Sequence, residues 1–288
     1  MATGRTDFTE GIKTFFVVPE LSVMPEDFLE SFFLRGFETY FLNDDPYLDL
    51  RAKIDVLFSL FPELILFFNI ERRISGVAWP DFIYRLQSAY RERALIGVLM
   101  RKQNNPELTR RLERLYLFDI GIRGGCITLE YQKAKNLGLL LNVLVANQAN
   151  GRRKHLRAIC GNRHRFNLFY MGMRYEGEIG DISVSHFSCV FDGKPPAMEV
   201  PETIKDIQLN LSGTICKVNG TLCVKRAIGA ATAFLFIFKD RHGTDGLDPE
   251  QLAKINGFIF NSYQENVGSL VKNAFDYERS RRAVEGHP

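Results

Sequence analysis

The sequence has no Cys-x-x-Cys pair, a single tryptophan, little excess charge and no long apolar run. Each absence removes a class of function. The five cysteines, at positions 126, 160, 189, 216 and 223, are odd in number and widely spaced. Structural zinc needs clustered thiolates or imidazoles, and a disulfide framework needs pairs, so neither is expected. Buried free thiols in a reducing compartment are the simpler expectation. The five histidines, His155, His164, His186, His242 and His287, lack metal-ligand spacing. No Gly-x-Ser-x-Gly elbow occurs and no acid–base pair of carboxylates stands out, so neither an enzyme nor a cofactor is expected. A net charge of +3 is too small for a broad basic field, which argues against a nucleic-acid polymer as partner. One tryptophan against 24 phenylalanines suits dense cores, not a stacking platform for single strands. Apolar runs such as Leu64–Phe68 are far shorter than a bilayer span. Met1–Asp7 contains no apolar signal core. The expectation is a cytoplasmic protein without membrane insertion.

A chain of 288 residues is natural for two domains. Residues 12–149 alternate between two hydrophobic periods. Strands are expected at Thr14–Val18, Phe37–Leu42, Glu63–Phe68, Ala94–Met100 and Ile120–Ile122. Helices are expected at Pro25–Gly36, Leu50–Phe61, Asp81–Arg91, Pro106–Tyr116 and Glu130–Ala149. Near-continuous apolar strands imply burial on both faces. The first region therefore reads as α/β, a doubly wound parallel sheet in the flavodoxin-like order.

After Gly151 the pattern changes. Residues 150–245 carry short alternating, aromatic-rich runs separated by Gly, Asn and Pro, the mark of an antiparallel β-barrel. Asn219-Gly220 is expected as a hairpin turn. Residues 248–282 return to a helical period, with Leu252, Ile255, Ile259, Val267, Leu270 and Val271 along one face. Asp248-Pro249 is a plausible cap for that long C-terminal helix.

The domain junction holds the densest chemistry. Arg152, Arg153 and Arg157 crowd the entrance to the β region, and Asp181 and Ser183 follow two dozen residues later. A guanidinium is a planar fork of donors that fits a phosphate or a guanine O6/N7 edge. A carboxylate supplies the acceptor that arginine lacks, suited to the N–H groups of the guanine Watson–Crick edge. Asp181 and Ser183, two apart on a strand, face the same way. Together they suit an anionic guanine ligand.

Arg153-Lys154-His155-Leu156-Arg157 and Asp181-Ile182-Ser183-Val184-Ser185-His186 resemble the two halves of the PilZ-domain pattern, Arg-x-x-x-Arg and Asp/Asn-x-Ser-x-x-Gly. The resemblance covers about a third of the chain. It implies a receptor for cyclic di-GMP, a bacterial second messenger, held between an arginine hinge and the barrel wall. Ligand binding would then alter domain orientation and the engagement of a protein partner in motility or envelope machinery, with a homodimer as a further option. In that family the position of Arg152 influences whether one nucleotide or a stacked pair is held. One departure stands out: His186 replaces the final glycine, where a tight turn or a close approach to ligand is implied. The competing expectation is a protein-interaction adaptor whose barrel no longer binds nucleotide.

The layout of residues 12–149 resembles a response-regulator receiver. The chemistry implied by that family is missing. The first strand leads to Val18-Pro19-Glu20, with one carboxylate. Phe68 and Asn69 stand where a phospho-accepting aspartate belongs, and Met100-Arg101 where Ser or Thr belongs. Neither Phe nor Asn forms an acyl phosphate, and one carboxylate is a poor Mg²⁺ site. A pseudo-receiver without phosphotransfer is expected.

Overall fold

The computed structural model describes residues 12–149, 155–229 and 231–285. The chain divides into two compact units, Met1–Lys154 with Asn266–Pro288, and His155–Glu265.

The first unit contains a parallel sheet of β1 (Lys13–Val17), β2 (Thr39–Leu42), β3 (Leu64–Asn69), β4 (Ala94–Arg101) and β5 (Cys126–Leu129). The strand order is β2-β1-β3-β4-β5, the flavodoxin-like order named from the sequence. Its helices are α1 (Phe28–Leu34), α2 (Leu50–Leu60), α3 (Trp79–Tyr90), α4 (Pro106–Glu113) and α5 (Lys133–Ala146). β1 and β3 are buried along their whole length, as uninterrupted apolar strands require. Phe16 of β1 stacks between Phe32 at 5.8 Å and Phe67 at 5.6 Å. Lys13 is fully buried in the same strand, and its Nζ lies 2.7 Å from Glu38.

Two expectations in this unit are corrected. The first helix is shorter than Pro25–Gly36. The Phe28 N–H donates to the Pro25 carbonyl at 3.4 Å in a turn, and the helix starts at Phe28. Ile120–Ile122 is not a strand. α4 passes instead into a π-helix, Arg114–Ile120, which ends on Gly121 at φ 77°. The left-handed cap favours glycine there. The fifth strand begins at Cys126 and pairs with Val98–Arg101 of β4. Ile122 is buried outside any strand, so its apolar neighbourhood imitated strand patterning.

The second unit contains β6 (Arg157–Ile159), β7 (Arg165–Tyr170), β8 (Met173–Ser183), β9 (His186–Phe191), β10 (Glu202–Leu211), β11 (Thr214–Ile228) and β12 (Ala231–Lys239). The order is β6-β8-β7-β10-β11-β12-β9, and β8 also pairs with β9. That last pairing closes β7–β12 into a six-stranded antiparallel barrel. β6 pairs with the end of β8, setting Arg157 opposite Ser183 and Ile159 opposite Asp181. Inside the barrel, Phe187 stacks on Phe236 at 5.2 Å and on Phe238 at 5.5 Å. Gly177 of β8 must stay bare, because a Cβ there would drive into the Val190 carbonyl of β9.

Asn219-Gly220 is not a hairpin turn. Both residues lie inside β11, with Gly220 opposite Ile204 and Phe238. The Asn219 side chain accepts from the Asp206 N–H at 3.2 Å, where β10 bulges between Ile204 and Ile207. The dipeptide serves a bulge and a close approach, the other use of such residues in a sheet. The turn between β10 and β11 is Ser212-Gly213, at φ 52° and 91°.

α6 spans Pro249–Glu285; its residues to Glu265 belong to the barrel unit. Ile255, Ile259, Tyr263 and Val267 form its buried stripe. Among the described residues no helix is long and apolar enough to cross a membrane.

Candidate functional site

In the barrel unit, the end of β8, the start of β9 and the short strand β6 bring Arg157, Asp181, Ser183 and His186 together. The Arg157 Nη1 donates to Asp181 Oδ2 at 3.1 Å. Its Nη2 lies 2.9 Å from His186 Nε2. The backbone of Arg157 is fixed by β6 pairing and by the Tyr263 hydroxyl, which donates to its carbonyl at 3.3 Å.

Asp181 is half satisfied. Its N–H donates to the Ser188 hydroxyl at 3.1 Å, and Oδ2 takes Arg157. Oδ1 is buried and has no hydrogen-bond partner. Buried carboxylate oxygens are rarely left unpaired, so this atom stands out within the cluster.

Ser183 is buried, and its hydroxyl accepts from the Ser185 N–H at 3.3 Å and the His186 N–H at 3.2 Å. It therefore closes the β8–β9 turn. His186 starts β9 and is absent from the residues with positive φ. The left-handed conformation that would demand glycine does not occur at this position; the Ser183 hydroxyl shapes the turn instead.

The tautomer of His186 follows from its neighbours. A guanidinium only donates, so Nε2 must carry the lone pair. The proton then sits on Nδ1, which lies 2.9 Å from the Ser185 hydroxyl and 3.1 Å from that of Ser183. Burial first, then the charge of Arg157, holds the imidazole pKa below its ordinary value of 6.5; Asp181 opposes them.

Arg152 and Arg153 lie outside the described residues. Ser185, Ser188, His155 and Tyr263 belong to the cluster and were not anticipated. Tyr263 sits four residues after Ile259 and four before Val267, so the helical period alone would have placed it on the buried stripe.

A second charged cluster lies at the carboxyl ends of β1, β3 and β4 in the first unit. The Asn69 side chain donates to the Val18 carbonyl at 3.1 Å and accepts from the Glu71 N–H at 3.2 Å. Arg101 Nη2 pairs with Glu20 at 2.8 Å, and its Nε lies 3.9 Å from Glu71. Gln103 donates to the other Glu71 oxygen at 2.7 Å. Glu20, Asn69, Glu71 and Arg101, with Arg72 and Arg73, line a cleft of about 410 Å³. The Ser22 hydroxyl, above all, and Arg101 hold the Glu20 carboxyl below its ordinary value. A larger cavity, about 960 Å³, is lined by Asp44, Tyr47, Ile74, Phe82 and Arg279 and contains no residue singled out from the sequence.

The described residues hold no cluster of His, Cys, Asp or Glu suited to a metal ion. The five cysteines are free thiols; burial pushes Cys160 up to about 12 and Cys189 well above its ordinary value. Such thiols are poor nucleophiles.

No family model matches the chain, and no curated protein matches it in sequence. Among solved structures, 42% of the chain is similar to 98% of the PilZ domain with c-di-GMP of YcgR from Escherichia coli, at 13% identity and a TM-score of 0.35. A further match pairs 43% of the chain with 51% of YcgR in complex with c-di-GMP from Escherichia coli, at 13% identity and a TM-score of 0.35. The K. pneumonia MrkH–c-di-GMP complex is matched over 41% of this chain and 56% of that one, at 15% identity and a TM-score of 0.37. The chain thus spans about half the length of the latter two. TM-scores below 0.5 leave the reading of this chain to its own geometry.

Proposed function

We propose that the barrel unit binds cyclic di-GMP at the Arg157–Asp181–His186 cluster, and that the chain is a non-enzymatic effector. The observation that carries this reading is the buried, unpartnered Asp181 Oδ1 beside an arginine that leans on a neutral imidazole. Both groups are poised to gain a partner. Asp181 Oδ1 accepts from guanine N1–H or N2–H, and Arg157 turns a donor to phosphate or to guanine O6/N7. Arg152 and Arg153 supply the further guanidiniums of the Arg-x-x-x-Arg pattern. Ser183 acts through the turn that sets His186, more than by touching ligand.

Charge-assisted bonds of this kind contribute roughly 1.5–3 kcal/mol each. Several of them support micromolar or tighter affinity, about −8 kcal/mol. Calorimetric titration of the purified chain with cyclic di-GMP is the test. Saturable binding that Arg153→Ala and Arg157→Ala each abolish or weaken by roughly 100-fold supports the site. Unchanged affinity in both variants removes it.

The α/β unit is proposed as a pseudo-receiver that serves as an interaction or dimerisation module. Asn69 occupies the end of β3 with its amide committed to backbone, and Glu20 is paired with Arg101. A second reading, an adaptor whose barrel takes no nucleotide, is favoured by one observation: Arg157 already has partners in Asp181 and His186. A flat titration would select it.

A further inference from the structure

We infer that His186 is a positioning residue that holds Arg157 in its ligand-free posture and makes nucleotide capture take up a proton. The inference rests on the cyclic di-GMP reading above.

The guanidinium of Arg157 is stretched between one carboxylate oxygen, at 3.1 Å, and one imidazole nitrogen, at 2.9 Å. A ligand phosphate that takes the Nη2 donor removes it from His186 Nε2. The half-buried nitrogen then loses its partner. Leaving a buried polar atom unpaired is unfavourable, and protonation resolves it. An Nε2–H becomes a second cationic donor directed at the same anion.

The charges around the ring set the sign. Arg157 of β6 and His155 just before it disfavour the imidazolium, whereas Asp181 of β8 favours it. Among the described residues, the other hydrogen-bond and register partners of His186 are neutral: the Ser183 and Ser185 hydroxyls, and Ile237 of β12, which pairs with it in register. In the free protein burial and Arg157 prevail, so the ring is neutral at pH 7. A bound phosphate offsets the charge of Arg157 and leaves Asp181 to tip the ring toward the protonated form. Neither the phosphodiesters nor the guanines titrate between pH 6 and 8. Affinity therefore rises as pH falls through that range, by linkage to one bound proton, with a ceiling of tenfold per pH unit.

Calorimetric titration of the full chain with cyclic di-GMP at pH 6, 7 and 8, in buffers of different ionisation enthalpy, tests this. Wild type is expected to bind roughly 3- to 10-fold more tightly at pH 6 than at pH 8, with net proton uptake. His186→Gln should still bind, with the pH dependence flattened. His155→Gln should keep it. Affinity that is independent of pH, or a slope that survives in His186→Gln, overturns the inference and leaves the ligand reading intact. A slope lost in His155→Gln alone overturns it too. No binding at any pH is a different failure: it removes the ligand reading itself.

Discussion

Two arginines sit beside carboxylates at strand ends, and they are in opposite conditions. Arg101, in the α/β unit, lies between Glu20 and Glu71, and Glu71 is further tied by Gln103. Arg157, in the barrel, has one oxygen of one carboxylate and a neutral ring, and it leaves Asp181 Oδ1 unpaired. In the first cluster the guanidinium has one close acceptor, Glu20, while Glu71 lies farther off and takes Gln103. In the second both Nη atoms are engaged, and one carboxylate oxygen is left without a partner. Strand ends at the switch point of an open α/β sheet usually hold the ligand. The proposed ligand site is at the barrel edge instead, because a buried carboxylate oxygen is left there for a ligand to satisfy.

The most direct way to break this contrast is to remove each arginine in turn. Arg157→Ala is expected to lower cyclic di-GMP affinity by roughly 100-fold, the loss of two charge-assisted bonds. Arg101→Ala should change it less than about twofold, as a site without ligand contact would. Equal losses in calorimetry would mean that the two clusters are not distinct in function.

A smaller effect sharpens the role of the idle oxygen. Asp181→Asn keeps the shape of the side chain and an acceptor toward Arg157, while removing the carboxylate charge. Affinity for cyclic di-GMP should fall about tenfold, with a smaller margin over cyclic di-AMP, because the guanine N–H groups lose a charged acceptor. An unaltered margin would show that selectivity comes from elsewhere in the chain.

The same contrast explains what was legible in the sequence. Uninterrupted apolar strands fixed the parallel sheet and its order, since burial on both faces leaves little freedom. Alternation and short spacing pointed to the barrel. The errors fell where glycine and asparagine have several uses. Gly121 caps a π-helix where a strand was expected, and Asn219-Gly220 holds a bulge where a turn was expected. At the site, residue type and order were enough to bring Arg157, Asp181, Ser183 and His186 to notice. Their hydrogen-bond states were not readable, because those depend on cross-strand register. The Ser183 hydroxyl accepts from two N–H groups of the turn, and Ser188 reaches Asp181 only across the β8–β9 pairing. His186, in the place of the pattern's glycine, has an ordinary strand conformation and a hydrogen bond to Arg157 that residue type alone does not announce.

The smallest effect separates the two clusters by their response to acid. The fold depresses the His186 pKa, so the neutral ring is the form it favours. As pH falls below 6.5, the unfolded chain takes up that proton first. The barrel then loses stability until the pH passes the folded pKa. Glu20 is also depressed, from 4.5, but it is the charged form that the fold favours. Its contribution is present above pH 4.5 and is lost only as pH falls through its lower folded value. Both slopes point the same way, and their windows differ by about two pH units. Because two units need not unfold together, a single midpoint would blur them. Amide exchange followed strand by strand keeps them apart. Protection in β8 and β9 should begin to weaken near pH 6.5, and the share that Glu20 contributes to β1 and β3 only below pH 4.5. His186→Gln should erase the upper window and leave the lower one in place. If the upper window persists in that variant, the acid response of the barrel belongs to another group, and His186 is not the residue that distinguishes Arg157 from Arg101.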